Sequence, residues 1–126
     1  MFSIDNLSQM PVYEQLIEQT KRFILIGALK SGDALPSVRG LSVKLSVNPN
    51  TIQKAYSELT HRGILVAVPG KGLYVSDSAL QVLGASARQK IGDLKELLQE
   101  LKLSGITEAE ILKTVKEIYK GEEEAR

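Results

Sequence analysis

The chain has 126 residues, 43% hydrophobic and 25% charged, a balance that allows a small globular domain with an appendage but only a modest core. It has no cysteine, which excludes disulfides, thiol catalysis and cysteine-based zinc sites and suits a reducing cytoplasm. Net charge is only +1, yet the window Lys30–Lys71 holds six basic residues against two acidic ones, whereas residues 78–126 hold eight against nine, so positive charge gathers in mid-chain.

Met1–Asn6 has no basic stretch leading into an apolar run, so no signal peptide is expected. The longest apolar stretches, such as Ile64–Val68, are far too short to cross a bilayer. A cytoplasmic protein with no membrane partner is expected.

The first predicted helix runs from Pro11, near N1, to Ile26, with Val12, Leu16, Thr20, Phe23 and Ile24 on one face. Gly27 and Gly32 flank a loop, and Leu35–Pro36 favours extended backbone. Ser37 is a good N-cap for a short second helix carrying Val38, Leu41 and Leu45, and Ser46–Val47 is a tight turn. The third helix has the clearest start, with Asn48 as cap and Pro49 at N1. Ile52, Ala55, Tyr56 and Leu59 form its core stripe, and Asn50, Gln53, Lys54, Ser57 and His61 the opposite side. Gly63 is a natural left-handed stop.

Two strands follow, Ile64–Val68 and Leu73–Ser76, around the turn Pro69-Gly70-Lys71-Gly72, which gives a hairpin with a basic tip. A further helix starts near Ser78 or Ala79. Leu80, Ala87, Ile91, Leu94, Leu98 and Leu101 form a heptad-like seam, interrupted by Gly84, and Gly84 and Gly92 both weaken the helix. Ser104–Gly105 ends it. Thr107 and Glu110 make a capping box for a last helix whose face carries Ile111, Leu112, Val115, Ile118 and Tyr119. Gly121 is expected to close that helix, leaving Glu122–Arg126 as a frayed tail. The fold class is thus mainly α with a small β-hairpin: a winged helix-turn-helix domain over 1–77, then a two-helix dimerisation tail over 78–126.

Two helices joined by a very short turn and followed by a hairpin with a cationic tip suit DNA. A helix with small polar side chains outward can enter the major groove, where bases present distinct donor and acceptor patterns. The amides of Asn50 and Gln53 suit adenine edges, and Lys54 is in reach of guanine or phosphate. Unpaired N–H groups at the helix start favour a phosphate. Arg39 is placed to clamp the backbone or reach a base, and Lys71, between Gly70 and Gly72, to enter the minor groove or meet phosphate. Simpler roles stand beside these: Arg39 paired with Asp33, Asn48 and Thr51 as helix caps, Gln53 and Lys54 on a solvated face, and Lys71 keeping the hairpin soluble. For Ser57 and His61, farther down the helix, a solvated surface role is expected. The single histidine and absence of cysteine argue against a tight transition-metal site.

The run Leu35-Pro36-Ser37-Val38-Arg39, with Leu41, then Val47-Asn48-Pro49-Asn50-Thr51-Ile52-Gln53-Lys54-Ala55-Tyr56, Leu59, Gly63 and Gly70-Lys71-Gly72-Leu73-Tyr74-Val75, closely resembles the GntR family of bacterial transcription regulators. Pro11-Val12-Tyr13-Glu14-Gln15-Leu16 matches too, so the resemblance covers roughly residues 9–76. The short tail resembles the YtrA-like subfamily, whose C-terminal part serves dimerisation. The resemblance implies a dimeric repressor of an inverted-repeat operator in double-stranded DNA, often near transporter genes. It places DNA contacts at Ser37 and Arg39, at Asn48, Asn50, Thr51, Gln53 and Lys54, and at Gly70, Lys71 and Gly72. Two positions depart from the pattern: Val38 stands where many relatives have Glu, and Pro49 where an arginine often stands, so base readout falls to other side chains.

The seam can pack inside one chain or between two. The tail holds too many apolar positions for two isolated helices, so a homodimer is expected through Leu80, Ala87, Ile91, Leu94, Leu98 and Leu101 with Ile111, Leu112, Val115 and Ile118, matching a palindromic site. The alternative function is a winged-helix protein–protein interaction module. An enzyme is not expected, because no nucleophile–base pair, metal spacing or phosphate loop is present and Gly70-Lys71-Gly72 is too short for a P-loop. Some members of the family carry an aminotransferase-like domain that uses pyridoxal phosphate, which residues 78–126 are too few to form, so no cofactor is expected. A small-molecule effector, of unknown identity, would act at the junction Ser76–Leu80, since the tail has no polar pocket signature.

Overall fold

Pro11 has extended backbone (φ −56°, ψ 149°) and stands at the N-cap, one place before the expected N1, so helix α1 spans Val12–Leu25. The computed structural model describes residues 1–125. It divides into two compact units, Met1–Ser86 and a second from Ala87 onward.

Helix α1 buries Leu16, Ile17, Thr20 and Ile24, a face wider than the predicted stripe. Thr20 removes its own polar penalty by donating to the Leu16 carbonyl at 2.7 Å. Gln15 is also buried. Its amide accepts from the Asp5 N–H and donates to the Asp5 and Met10 carbonyls, at 3.0, 3.1 and 2.8 Å, so it clips the N-terminal segment onto α1. That segment delivers Phe2 into the core, edge-on to Phe23 at 5.3 Å between ring centroids.

Helix α2 (Val38–Leu45) begins where the Ser37 hydroxyl accepts from the Gly40 N–H at 3.0 Å. It stops at Ser46, which takes a left-handed conformation (φ 55°, ψ 44°) and bonds its N–H to the Ser42 carbonyl. Helix α3 (Pro49–His61) follows at once, with Asn48 as cap and Pro49 at N1 as predicted. Ile52, Ala55, Tyr56 and Leu59 are all at most 1% exposed. Burying an aliphatic or aromatic side chain of this size contributes on the order of 1.5–3 kcal/mol. The Tyr56 hydroxyl donates to the Pro36 carbonyl at 2.9 Å, which ties α3 to the entry of α2.

Gly63 (φ 80°) closes α3 in a Schellman motif: the Gly63 N–H reaches the Thr60 carbonyl and the Ile64 N–H the Leu59 carbonyl, both at 3.0 Å. Ile64 is thereby committed to the helix end, so strand β1 covers Leu65–Val68, one residue later than predicted. Strand β2 (Gly72–Val75) pairs with it antiparallel, Leu65 opposite Val75 and Val68 opposite Gly72. It ends before Ser76, whose hydroxyl donates to the Gly63 carbonyl at 2.7 Å. A third strip of backbone, not expected from sequence, lies along β2. Ala34 bridges Tyr74, and the Leu35 N–H bonds the Leu73 carbonyl at 2.9 Å.

Helix α4 (Ala79–Leu103) starts in the first unit, where Ala79 and Leu83 are buried, and continues without a break through Gly84 and Gly92. Gly105 (φ 91°) ends it with a second Schellman closure, Ile106 N–H to Leu101 carbonyl at 3.1 Å. The Thr107 hydroxyl then accepts from the Glu110 N–H at 3.2 Å, one half of the predicted capping box, and helix α5 spans Glu108–Ala125. Gly121 therefore does not close this helix, and the expected frayed tail is helical as far as Ala125, Arg126 lying outside the described residues. One interior glycine costs only about 1 kcal/mol relative to alanine, and no proline follows to stop the helix.

Candidate nucleic-acid interface

The tight α2–α3 turn fixes where the polar residues point. Beyond the Ser46 bond, the Val47 N–H bonds the Ser42 carbonyl at 3.1 Å and the Ser42 hydroxyl donates back to the Val47 carbonyl at 2.5 Å. The Asn48 side chain accepts from the Asn50 N–H at 2.8 Å, so its carbonyl oxygen is occupied as a cap. Asn48 and Asn50 are exposed, and Thr51 is half-buried. Gln53 is exposed and donates its amide N–H to the Ser57 hydroxyl at 3.0 Å.

Helix α3 and the hairpin enclose an open groove of about 730 Å³. Ser37 and Val38 at the entry of α2, Gln53, Ser57 and His61 along α3, and Gly70 and Gly72 at the hairpin tip all line it. Residues from three predicted segments, Ser37, Gln53 and the tip glycines, are therefore brought to one concave surface. Gly70 (φ 77°) and Gly72 (φ 117°) take conformations a side chain disfavours, and an added Cβ would meet nothing within 4 Å at either. The exposed Lys71 between them bonds its N–H to the Val68 carbonyl at 2.9 Å.

Arg39 lies exposed in the first turn of α2. It does not pair with Asp33, whose carboxylate instead accepts from the Lys30 N–H at 2.8 Å. Among the described residues the ion pairs are Lys21–Glu18 and Arg62–Glu58. Lys54 goes elsewhere: its ammonium stands 3.8 Å from the centroid of the Tyr13 ring, in a separate cleft shared with Glu58 and Arg62. Sequence reasoning missed Tyr13 as its partner. Tyr13 also donates to the Glu14 carboxylate at 3.2 Å, and that bond is the main reason its hydroxyl is held above the usual phenol range.

In the second unit, Leu98, Leu101 and Ile111 are half-buried, whereas Ala87, Ile91, Leu94, Leu112, Val115 and Ile118 are exposed, Ile91 and Leu94 by about half. Leu80, also assigned to the seam, belongs to the first unit and is 61% exposed. It borders a cleft of about 130 Å³ beside Ser76 and Asp77, well below the roughly 300–1,000 Å³ usual for small-molecule sites. No group of three or more metal-ligating side chains occurs among the described residues, and no helix there is long and apolar enough to cross a membrane.

A helix-turn-helix followed by a β-hairpin wing, with polar residues at the exposed start of its third helix, defines a winged-helix DNA-binding regulator. The chain belongs to the gntR family of bacterial regulatory proteins, whose model matches residues 12–75. It is 40% identical over 119 residues to the HTH-type transcriptional repressor YtrA of Bacillus subtilis, a match covering 94% of this chain and 92% of that protein. The crystal structure of a transcriptional regulator from Oenococcus oeni superposes with a TM-score of 0.74 at 31% identity, covering 94% of this chain and 99% of the other. The DNA-binding domain of AraR, solved in complex with operator ORX1, matches 60% of this chain and 93% of its own, with a TM-score of 0.52 at 29% identity. The family and these relatives are transcription regulators, not enzymes.

Proposed function

We propose that the chain is a homodimeric, cytoplasmic repressor that binds an inverted-repeat operator near transporter genes. The observation that carries this reading is the common surface formed by the α2 entry, the outer side of α3 and the glycine-flanked wing tip. Ser37 and Arg39 would hold one phosphate strand, with Asn48, Asn50, Thr51, Gln53 and Lys54 at the major groove and Gly70, Lys71 and Gly72 at the neighbouring backbone or minor groove. The repressor name of the B. subtilis relative and the operator complex of AraR support it.

The functional division follows the sequence: residues 1–77 bind DNA and 78–126 join two copies. The exposed apolar stripe of Ala87, Ile91 and Leu94 with Leu112, Val115 and Ile118 supports association, and Leu80, Leu98, Leu101 and Ile111 extend it. A two-fold dimer presents two reading helices to two half-sites. Repression would be steric, by occupation of the promoter.

Gel-shift titration against palindromic genomic fragments and against random duplex DNA tests the proposal. Specific binding that weakens as salt rises is expected. Absence of any shift at low salt would favour the other function, a winged-helix module that binds a protein.

A further inference from the structure

His61 is the only histidine of the chain, and it stands exposed in the last turn of α3, on the wall of the groove between that helix and the hairpin. It lies about two turns beyond Gln53 on the same wall. Tyr56 also reaches this groove, but its hydroxyl donates to the Pro36 carbonyl and burial holds it as the phenol. The entry of α2 contributes Ser37 and Val38, and the hairpin contributes only uncharged residues. The nearby charges lie elsewhere. Arg39 and Lys71 do not line the groove, and Lys54, Glu58 and Arg62 line the separate cleft beside α1, Glu58 and Arg62 paired at 2.8 Å. Among the described residues, His61 is therefore the one side chain on the groove wall that can become a cation.

We infer that His61 meets a backbone phosphate as the imidazolium, so that DNA binding takes up a proton from solvent and tightens as pH falls. The inference rests on the DNA-binding proposal and deepens it. With α3 in the major groove and the wing at the neighbouring backbone or minor groove, the sugar–phosphate strand that separates adjacent grooves passes between the two, across the wall that carries His61. Histidine side chains change charge between about pH 5 and 8. A neutral imidazole offers a phosphate one N–H, whereas the imidazolium adds a positive charge, and charge-assisted hydrogen bonds are roughly twice as strong as neutral ones. DNA therefore binds the charged form more tightly, and by linkage the complex draws His61 towards that form.

The test is binding to a palindromic duplex that the full-length chain selects from random DNA, followed by fluorescence anisotropy over a salt series at about pH 6 and about pH 8, on either side of the histidine range. His61→Gln and His61→Lys are compared with the unaltered chain, with melting temperatures to confirm folding. The unaltered chain should bind more tightly at the lower pH, with a slope of log K against log salt steeper there by up to about 0.9 for each copy bound. His61→Gln should give the shallower slope at both pH values, and His61→Lys the steeper slope at both. The amino terminus also titrates in this range, but both variants retain it, so the comparison isolates the imidazole. A slope unchanged by pH in the unaltered chain, or a pH effect that persists in folded His61→Gln protein, would overturn the inference while leaving α3 and the wing as the DNA-binding surface. No binding at either pH, even at low salt, would instead defeat the DNA-binding reading and the inference with it.

Discussion

The ammonium of Lys54 lies 3.8 Å from the centroid of the Tyr13 ring, so a cation on the outer side of the third helix is attached to the first. A cation over an aromatic face is attracted by the ring quadrupole. To meet a phosphate, Lys54 must leave that ring.

Lys54→Ala is therefore expected to weaken binding to all DNA sequences alike. Each phosphate contact removed lowers the slope of log K against log salt by about 0.9. An unchanged salt slope in a folded Lys54→Ala protein would mean that the ammonium stays on Tyr13 in the complex.

Arg39 has no ion-pair partner among the described residues, since Asp33 is occupied by the Lys30 N–H. Arg39→Ala should leave the melting temperature nearly unchanged, as is usual for exposed positions within about 0.5 kcal/mol. It should also lower operator affinity and reduce the salt slope by about 1. Titrations at several salt concentrations check both.

Charged residues in place of the apolar stripe should separate the copies. Leu94→Glu with Leu98→Glu is expected to give monomers with poor operator binding, as read by sedimentation and gel shift. An intact dimer in that double variant would remove this seam from the interface. Gly84 and Gly92 offer a complementary probe, because an added Cβ at either meets nothing within 4 Å in the single chain. Alanine there should raise helix stability by up to about 1 kcal/mol per site unless a partner backbone lies close.

Burial pushes the Tyr56 hydroxyl up to about 12 from an ordinary 10. The unfolded chain therefore loses this proton first as pH rises. The contribution of Tyr56 is complete below pH 10 and is lost between pH 10 and about 12. Denaturant midpoints measured across that range should fall, and Tyr56→Phe should flatten part of the fall. At neutral pH the same change should cost about 0.5–1.5 kcal/mol for the lost bond to the Pro36 carbonyl.

Local signals made much of the fold legible. Asn48–Pro49, the stripe Ile52, Ala55, Tyr56 and Leu59, and Gly63 each name their helical position by residue type alone, and all stand where expected. Three of the misses share a cause: they depend on partners distant in sequence. Phe2 is core because Gln15 clips its segment down, and Ala34 joins the sheet because Tyr74 happens to lie beside it. Lys54 shows the same at the candidate site. Helical spacing grouped it with Gln53, Ser57 and His61, but the packing of α1 draws it to the Tyr13 ring, in a cleft apart from the groove that those three line. Gly121 failed for the opposite reason, a local signal too weak to act alone.

The left-handed Ser46, bonded back to Ser42 and followed directly by the Asn48 cap, leaves no slack between α2 and α3. Arg39 and Gln53 are thus carried on one bracket, and in the proposed complex the offset along the duplex between a backbone grip and a base contact would be set by the protein. A residue inserted at this joint would shift that offset by several ångströms and leave the two grips out of step, even with every contacting side chain intact.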